Sequence, residues 1–481
     1  MSEQSENENR VEIEERNLWS LKVEGMISDK STNRKGDSVV RLIDQIVSDR
    51  NLDEAIKAVR RNKGAAGVDG MQVEELDRYF EKHRAEIKAA ILSKKYKPDP
   101  VRRVYIPKAN GKKRPLGIPT VKDRVIQQAI AQVLTPEFEP CFSNSSHGYR
   151  PGRSVHTAME QVLNYLNQGY EWVVDLDIEK FFDTVNHDKL ISILRKRVED
   201  ATTLNLIRRF LRAGIMEDGL VSPPEDGVPQ GGPLSPLLSN IYLNEFDQEL
   251  ENRGLRFVRY ADDCNIFVKS EMAANRVMAS VTSWLERKLF LKVSAEKTHV
   301  VRPGNSQYLG FRFWKSSDGW QLRVGEDRKA RLYDKVRKVT IRKHAVALPL
   351  SWTFNKVNEI VRGWINHYRI ASMKTFMEEF GAWLRHRIRV IILKQWKKPK
   401  TKFVNLMKLN RRFRCNIPEE RIRWTADTRK GLYANANGNV VNYLLSPKVL
   451  QMPNEKEGRP GLIDPLGYYL ESKRRLVSAV M

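Results

Sequence analysis

The sequence predicts an α+β protein, because strand-like and helix-like patterns both recur along it. Runs rich in β-branched and aromatic residues and bounded by polar turns are typical of strands and hairpins. Three such runs occupy residues 104–119, 171–177 and 257–268. Apolar residues at helical spacing are typical of amphipathic helices, and they recur at 237–246, 273–289 and 360–368. Because 481 residues exceed a single hydrophobic core, we expect about two to four domains.

The charge balance indicates a nucleic-acid partner. The chain has 84 lysines and arginines against 59 aspartates and glutamates, which gives a net charge of +25. A surplus of this size favours a polyanion, and nucleic acid before membrane. Cys141, Cys264 and Cys415 are too far apart for a disulfide framework or a zinc cluster, so we expect buried thiols in a reducing cytoplasm. No apolar stretch is long enough to span a bilayer.

The most informative stretch is residues 257–268, which predict a hairpin with Asp262 and Asp263 at its tip. Neighbouring carboxylates repel each other, so a purely structural turn rarely needs both. A divalent cation such as Mg²⁺ resolves the repulsion, because it prefers hard oxygen ligands from one or two carboxylates and from substrate phosphates. The same residues, taken alone, fit an exposed acidic turn equally well.

A second acidic strand supplies the partner that this hairpin needs. Residues 172–178 form an apolar run that carries Asp175 and Asp177 at alternate positions, which places both on one face of a strand. A strand that ends in an acid and a hairpin tip that bears one can together hold two metal ions. Two ions about 3.5–4 Å apart stabilise the attacking and leaving oxygens of an in-line phosphoryl displacement.

At these residues the chain resembles a known family. Asp177-Ile-Glu-Lys-Phe-Phe-Asp183 together with Tyr260-Ala-Asp-Asp263 resembles the catalytic pair of reverse transcriptases. The resemblance implies a right-hand polymerase, with fingers and palm in the α+β core and an α-helical thumb. It also implies RNA-directed DNA synthesis with two Mg²⁺ ions, for which Mn²⁺ can substitute. The implied catalytic residues are Asp177, Asp262 and Asp263, and the implied metal site adds Ile178 to these three.

A basic hairpin at residues 104–119 is the first candidate nucleotide site. Alternating apolar residues lead to Asn110-Gly111, a strong turn signal, and a basic return strand follows. On the residues alone, it fits either a charged hairpin kept soluble by its lysines or a grip on a triphosphate by Lys108 and Arg114. In the family that the chain resembles, these positions contact the incoming deoxynucleotide.

Three further residues complete the predicted nucleotide site. Phe182 belongs to a Phe-Phe pair, and such pairs usually lie in the core. In the family that the chain resembles, the aromatic residue at this position instead excludes the 2′-hydroxyl of the nucleotide. Both can hold, because one ring can pack in the core while the other excludes the 2′-hydroxyl. Gln230 lies in a glycine-rich loop at residues 227–240 that enters a helix and matches a reverse-transcriptase motif. Lys297, in a stretch at residues 291–298 that resembles a later family motif, would lie near the active site, although a lone lysine is more often simply solvated.

The candidate nucleic-acid contacts are spread along the chain. A loop after residue 146 suits backbone phosphates, residues 308–311 resemble the family's primer grip, and a basic helical stretch suits a thumb that grips a duplex. The assigned residues are Arg150, Arg153, Tyr308, Leu309, Gly310, Arg385, Arg387 and Arg389. Residues 362–368 resemble the signature of the maturase domain of group II intron proteins. The basic stretch after residue 400 resembles their DNA-binding tail. It lacks a Cys/His cluster, which predicts no endonuclease domain, as in class C intron proteins.

These assignments predict four parts. They are a disordered polar lead (1–36), reverse transcriptase fingers and palm (37–315), a thumb or maturase domain (316–400) and a C-terminal DNA-binding domain (401–481).

Four functions compete on this basis. The first is an intron-encoded reverse transcriptase that assists splicing and retrohoming of its intron, as a ribonucleoprotein in the bacterial cytoplasm. Its partners would be structured intron RNA, an RNA template, a DNA primer, target DNA and dNTPs, and the sequence leaves dimerisation open. The second is a free-standing bacterial reverse transcriptase in phage defence or DNA repair. Intact Asp177, Asp262, Asp263 and Gln230 disfavour a splicing cofactor with a vestigial polymerase, and Phe182 disfavours an RNA-dependent RNA polymerase.

Overall fold

The computed structural model describes residues 41–107, 111, 113–217, 219–222, 226–229, 231–455 and 458–480. The predicted polar lead and two predicted nucleotide contacts, Lys108 and Gln230, lie outside the described residues. Contacts within the chain define two compact units, one up to Ser306 and one from Gln307 onward. The predicted division into four parts is finer than this and stays a prediction. In the described part, no helix combines the length and apolar composition needed to cross a bilayer.

The first unit mixes helices and strands, which confirms the predicted α+β class. Its helices are α1 (Leu42–Ile46), α2 (Asp49–Asn62), α3 (Leu76–Leu92), α4 (Val121–Phe138), α5 (Val155–Asn167), α6 (Phe181–Thr184), α7 (His187–Arg195), α8 (Ala201–Leu211), α9 (Ser235–Asn252) and α10 (Glu271–Lys288). Its strands are β1 (Val101–Pro107), β2 (Lys113–Ile118), β3 (Trp172–Asp177), β4 (Ile215–Glu217), β5 (Leu220–Ser222), β6 (Arg256–Tyr260), β7 (Asp263–Val268) and β8 (His299–Val301).

The sheet that carries the acids has the strand order β6-β7-β3-β8, and its paired strands are antiparallel. Alternation along a strand sends successive side chains to opposite faces. Val174 and Leu176 of β3 lie in the same hydrophobic core as Leu238 of α9 and Leu285 of α10. Asp177 therefore lies on the opposite face of the strand, away from that core.

The second sheet of this unit has the order β2-β1-β4-β5. Strands β1 and β2 pair antiparallel, with Ile106 opposite Arg114 and Pro107 opposite Lys113. This pairing confirms the hairpin predicted at residues 104–119. The paired strands hold Arg114 near the turn end of the hairpin, where its side chain is exposed to solvent.

The second unit consists of a small sheet and many helices. Its strands β9 (Gln307–Tyr308), β10 (Phe311–Ser316) and β11 (Gly319–Val324) form a sheet with the order β11-β10-β9. Its helices are α11 (Glu326–Val339), α12 (Arg342–Ala345), α13 (Leu350–Tyr368), α14 (Lys374–Gln395), α15 (Pro399–Arg412), α16 (Glu419–Asp427), α17 (Leu432–Ala436), α18 (Asn439–Leu444), α19 (Pro447–Gln451) and α20 (Pro465–Val480).

Aromatic side chains join helices α11, α13 and α14. The ring of Tyr333 on α11 meets Phe380 and Trp383 on α14 edge to face, with ring centroids 5.3 and 4.7 Å apart. Trp364 on α13 packs on Phe376 of α14 at 5.6 Å. Aromatic pairs of this kind add to the stabilisation that apolar burial provides. The helical pattern at residues 360–368 therefore marks core, as helical spacing alone predicts.

Candidate active site

The two acids at the hairpin tip are held by an unusual backbone. Tyr260 pairs with Asp263 at the end of the hairpin, which leaves Ala261 and Asp262 as a two-residue turn. Ala261 has φ +58°, a value that such turns require and that most non-glycine residues avoid. A Cβ atom on Gly148 would lie 2.3 Å from the Ala261 nitrogen. Glycine is therefore required at position 148, because any side chain there would clash with the backbone of the turn. The loop that contains Gly148 thus packs directly against the turn.

Three carboxylates meet at this end of the sheet. Asp177, the last residue of β3, lies directly opposite Asp263, the first residue of β7. Directly paired residues of antiparallel strands have Cα atoms about 4.5–5.5 Å apart and project to the same face. Asp262 is the next residue along, in the turn. The structure thus brings together the three acids that the sequence predicted as catalytic.

The pKa values of Asp262 and Asp263 are both raised. Desolvation by the surrounding protein, followed by repulsion from Asp262, Asp177 and Asp175, raises the pKa of Asp263 to about 7. Asp263 is exposed at the end of the sheet, where the repulsion from the neighbouring carboxylates still acts on it. Desolvation also raises the pKa of Asp262, while the charge of Arg114 acts in the opposite direction. Arg114 of the β1–β2 hairpin is therefore within electrostatic reach of Asp262.

Lys297 already balances one of these charges. Its Nζ atom lies 2.7 Å from Oδ2 and 3.1 Å from Oδ1 of Asp177. The segment that carries it is bonded to β3, since the Ser294 amide donates to the Asp177 carbonyl and the Asp177 amide donates to the Thr298 hydroxyl. The lysine keeps 62% of its side chain exposed, so the ion pair can open to substrate or metal. The structure thus places Lys297 beside the acids.

Ile178 is the fourth predicted metal ligand, and its backbone carbonyl directly follows Asp177 in the chain. Ile178 forms an isolated antiparallel bridge with Val293. The hydrogen bonds of that bridge run from the Glu179 amide to Lys292 and from the Ser294 amide to Asp177. In this type of pairing the central residues do not exchange hydrogen bonds, so the bridge does not use the Ile178 carbonyl.

The donors fit a divalent cation that binds together with its substrate. Carboxylate and carbonyl oxygens are the ligands that Mg²⁺ prefers, and Mg²⁺ usually takes only one or two carboxylates and completes its shell with water and phosphate. Within the described ranges, no three acidic, histidine or cysteine side chains converge closely enough to hold an ion by themselves. An ion held at these residues would therefore need further oxygen ligands, for which the Ile178 carbonyl, water and nucleotide phosphates are suited.

The raised pKa of Asp263 predicts a pH-dependent stability in metal-free buffer. Between about pH 4 and 7 the folded protein retains a proton at Asp263 that the unfolded chain releases, so stability falls as pH rises through this window. Asp263→Asn removes this titration. We expect thermal denaturation with chelator present to show a shallower loss of Tm from pH 5 to pH 8 in the variant than in the wild type. Equal slopes in the two proteins would contradict the carboxylate cluster.

The two phenylalanines after β3 have different surroundings. Phe181 is 1% exposed and belongs to the core, whereas Phe182 is only half-buried. Their rings meet edge to face at 5.2 Å. The Phe182 carbonyl accepts a 2.6 Å hydrogen bond from the Val228 amide, and a Cβ on Gly227 would lie 2.9 Å from that carbonyl oxygen. The backbone of Phe182 is thus held against the glycine-rich loop that leads to Gln230.

Two of the predicted phosphate contacts have other partners in the structure. Arg150 is 4% exposed; it pairs with Glu139 at 2.7 Å and donates to the carbonyls of Ser143 and Ser146. Arg389 is 7% exposed and donates to the Leu445 carbonyl and the Asn442 side chain. Guanidinium groups that are buried and already hydrogen-bonded have few N–H donors left to bind a phosphate. We therefore assign both arginines a structural role.

The predicted primer-grip residues form a tight turn between β9 and β10. Leu309 and Gly310 both have positive φ values, of +51° and +86°, as a type I′ hairpin turn requires. Tyr308 is 3% exposed, so its side chain is not accessible to nucleic acid. Any nucleic-acid contact from this stretch would therefore be made by Leu309 and Gly310. Arg153 is partly exposed and donates to Asn144.

A basic cavity in the second unit was not predicted from the sequence. Arg387 donates from Nε and Nη2 to the hydroxyl and carbonyl of Thr340. Its guanidinium lies 5.5 Å from the centroid of the Trp383 ring, and that of Arg337 lies 5.8 Å from the same ring. The cavity measures about 450 Å³ and is lined by Arg331, Asp334, Lys335, Arg337, Lys338, Ile341 and Arg387. Of the three predicted thumb arginines, only Arg387 lines it; Arg385 lies beside Gly381.

Comparison with known proteins gives matches along most of the described chain. Residues 106–313 match the family described as "Reverse transcriptase (RNA-dependent DNA polymerase)", and residues 329–410 match "Group II intron, maturase-specific domain". Protein YkfC of Escherichia coli (strain K12) is 34% identical over 367 residues, which cover 68% of this chain and 94% of that protein. The group II intron-encoded protein LtrA of Lactococcus lactis subsp. cremoris is 29% identical over 440 residues, or 72% of this chain and 73% of that protein.

Among solved structures, a chain of a partial Cas6-RT-Cas1–Cas2 complex is similar with 27% identity and a TM-score of 0.34. The match covers 52% of this chain and 43% of that one, so the present chain spans less than half of its length.

The family matches agree with the geometry of the site. The acids Asp177, Asp262 and Asp263 lie inside the reverse-transcriptase match, and the basic cavity between α11 and α14 lies inside the maturase-specific match. The latter match implies nucleic-acid partners, and it favours the intron-encoded hypothesis over the free-standing one. The chain belongs to the family of group II intron reverse transcriptases and maturases, as an RNA-directed DNA polymerase with a role in intron splicing.

Proposed function

We propose that the chain extends a DNA primer on an RNA template at Asp177 and Asp262, and that its second unit binds the intron RNA whose splicing it assists. The observation that carries the first half is the register of β3 and β7, which sets Asp177 opposite Asp263 with Asp262 in the adjoining turn. The partners are a structured intron RNA, a template–primer duplex, target DNA and dNTPs. The protein then works as a ribonucleoprotein in the bacterial cytoplasm.

Members of this family use divalent metal ions. In this chain Asp177, Asp262 and the Ile178 carbonyl would hold Mg²⁺, with Asp263 supporting them. Two such ions, when bound, activate the primer 3′-hydroxyl and stabilise the departing pyrophosphate. The Lys297 ammonium is paired with the Asp177 carboxylate, and this pairing raises the pKa of the lysine; when the substrate arrives, the ammonium becomes available to the triphosphate.

The remaining contacts orient the nucleotide. Arg114 offers a planar guanidinium, which suits a phosphate better than a point charge does. Lys108 and Gln230 are proposed to contact the triphosphate and the base or sugar, as the family resemblance implies. Positioning of this kind can supply several kcal/mol of a barrier reduction without any covalent chemistry by the protein.

Removal of the metal tests this assignment. Because the three acids repel one another without a cation, we expect chelation to abolish primer extension on an RNA template and Mg²⁺ or Mn²⁺ to restore it. Extension that persists in excess chelator would contradict the proposal. Template–primer binding, measured by fluorescence anisotropy in the same buffer, should change little, because phosphate contacts by lysine and arginine do not require the catalytic ions.

Phe182 is proposed to exclude the 2′-hydroxyl of the incoming nucleotide. Phe182→Ala should admit ribonucleotides while deoxynucleotide incorporation stays largely intact, because the half-buried ring can be shortened without emptying the core. The matched variant Phe181→Ala should instead lower stability by about 3–5 kcal/mol, because that ring is fully buried. Single-nucleotide incorporation assays with dNTP and with rNTP measure the ratio of the two incorporation rates. If this ratio is unchanged in a folded Phe182→Ala protein, Phe182 does not exclude the 2′-hydroxyl.

The basic cavity between α11 and α14 supports the RNA-binding half of the proposal. Five of its lining residues are cationic, and the one acid, Asp334, is paired with Arg337 at 2.8 Å. Desolvation, followed by repulsion from the nearby Arg337 charge, lowers the pKa of Arg387. An RNA backbone phosphate at this cavity would reduce that repulsion, and RNA is recognised largely through such contacts and shape.

A further inference from the structure

The largest fully buried side chain of the described residues is an arginine directly behind the catalytic turn. Arg259 and Asp247 are both 0% exposed. The guanidinium Nε and Nη2 atoms lie 2.7 and 2.5 Å from the two carboxylate oxygens of Asp247 on α9. A buried ion pair is costly to desolvate and adds little to stability compared with well-packed apolar residues. Such a pair therefore calls for a function other than holding the fold together.

The rest of the guanidinium is directed at the turn and its supports. Nη1 donates to the Ala261 carbonyl at 2.8 Å and to Asn240 Oδ1 at 3.1 Å, and Nη2 donates to the Ser146 hydroxyl at 2.8 Å. Ala261 immediately precedes Asp262 and has the positive φ value that defines the turn. Asn240 in turn donates to the carbonyl of Gly148, the residue that backs Ala261.

We propose that Arg259 is a positioning residue that fixes the Ala261–Asp262 turn, and thereby the direction in which Asp262 presents its carboxylate to the metal. The Asp247 carboxylate orients the guanidinium, and the guanidinium holds the Ala261 carbonyl. Lysine cannot replace it, because a single ammonium group cannot donate to Asp247, Asn240, Ser146 and Ala261 in this fork geometry. The proposal rests on the role assigned to Asp262 above.

The test compares Arg259→Lys with wild type and with Tyr242→Phe. Tyr242 is also fully buried on α9, and its hydroxyl donates to the Leu289 carbonyl at 2.6 Å, so its loss weakens the same unit without touching the turn. We expect Arg259→Lys to lower kcat about tenfold or more and to raise the half-saturating Mg²⁺ concentration, with an unchanged Kd for template–primer. Mn²⁺ titration of the free protein, followed by electron paramagnetic resonance, should show weakened binding. Tyr242→Phe should lower Tm and leave both metal measurements unchanged.

The outcomes separate the inference from the function on which it rests. Wild-type kcat and Mn²⁺ affinity in Arg259→Lys would overturn the positioning role, and so would equal metal defects in Tyr242→Phe. If Asp262→Ala, assayed in parallel, still synthesises DNA, then the catalytic assignment itself fails. If Arg259→Lys does not fold, Asn240→Ala tests the same connection without leaving a buried charge unpaired. It should show the same two metal defects to a smaller extent, and normal metal dependence in that variant would contradict the proposal.

Discussion

Replacing Asp177 with alanine is expected to lower the rate of primer extension by about 10²–10³-fold or more, the usual cost of losing a preorganised charge or metal ligand. Asp177 ends β3 opposite Asp263 and is paired with Lys297, so its removal also leaves that lysine without its carboxylate. Asp263→Asn should be tolerated better, because asparagine keeps an oxygen at this position and removes a charge that the neighbouring carboxylates repel. Single-turnover incorporation of one dNTP on an RNA template measures both variants.

The control for this prediction is an acid of the same unit that lies away from the sheet. Asp188 on α7 is 76% exposed and pairs with Arg208 at 2.7 Å, and exposed pairs of this kind contribute about 0–1 kcal/mol. Asp188→Ala should therefore retain the wild-type rate. Full activity in a folded Asp177→Ala protein would contradict the catalytic role assigned to Asp177.

Reversing two charges of the basic cavity is expected to weaken RNA binding and splicing assistance. In Arg337→Glu/Arg387→Glu, each substitution removes a phosphate contact and adds repulsion. The affinity for intron RNA should fall at least about tenfold at moderate salt, and the slope of log affinity against log salt should become shallower by about two. Filter binding over a salt series and splicing at near-physiological Mg²⁺ are the measurements. Primer extension is also expected to fall if this part of the chain is the thumb that the family resemblance implies, because a thumb would hold the template–primer duplex.

Two comparisons make this prediction specific. Lys356→Glu reverses a charge on α13 that is paired with Glu359. It changes the net charge as much as each cavity substitution does, but Lys356 does not line the cavity. This variant should therefore bind RNA more nearly as the wild type does. Arg389→Glu should instead impair folding, because Arg389 is buried and bonded to Leu445. If Lys356→Glu weakens RNA binding as much per charge as the cavity variant, the effect is general electrostatics and the cavity has no special role.

Local patterns were sufficient to predict the centre of the site. Adjacent acids between two β-rich runs predict the hairpin tip, and alternation along 172–178 predicts the face on which Asp177 lies. The β3–β7 pairing confirms that these acids meet. The helices after residue 350 could be predicted in the same way, because apolar spacing depends only on near neighbours in the sequence.

Contacts between distant segments were not predictable from those patterns. A buried, ion-paired arginine and an arginine available to phosphate are the same residue in a sequence, so the structural roles of Arg150 and Arg389 emerge only from their partners. Arg259 was missed for the same reason, although its neighbours Tyr260 to Asp263 were singled out. The basic cavity depends on the packing of α11 against α14. Its signal, cations at helical spacing at positions 331, 335 and 338, is also typical of any solvated helix face.

The most direct test of the central claim compares wild type and Asp262→Ala in two assays performed side by side. One is primer extension on an RNA template, and the other is splicing, at near-physiological Mg²⁺, of an intron found around the gene. We expect Asp262→Ala to abolish DNA synthesis and to leave splicing assistance nearly unchanged, because the acids and the basic cavity belong to different units of the chain. DNA synthesis by a folded Asp262→Ala protein would contradict the polymerase site, and wild-type protein that fails to accelerate splicing would contradict the maturase role.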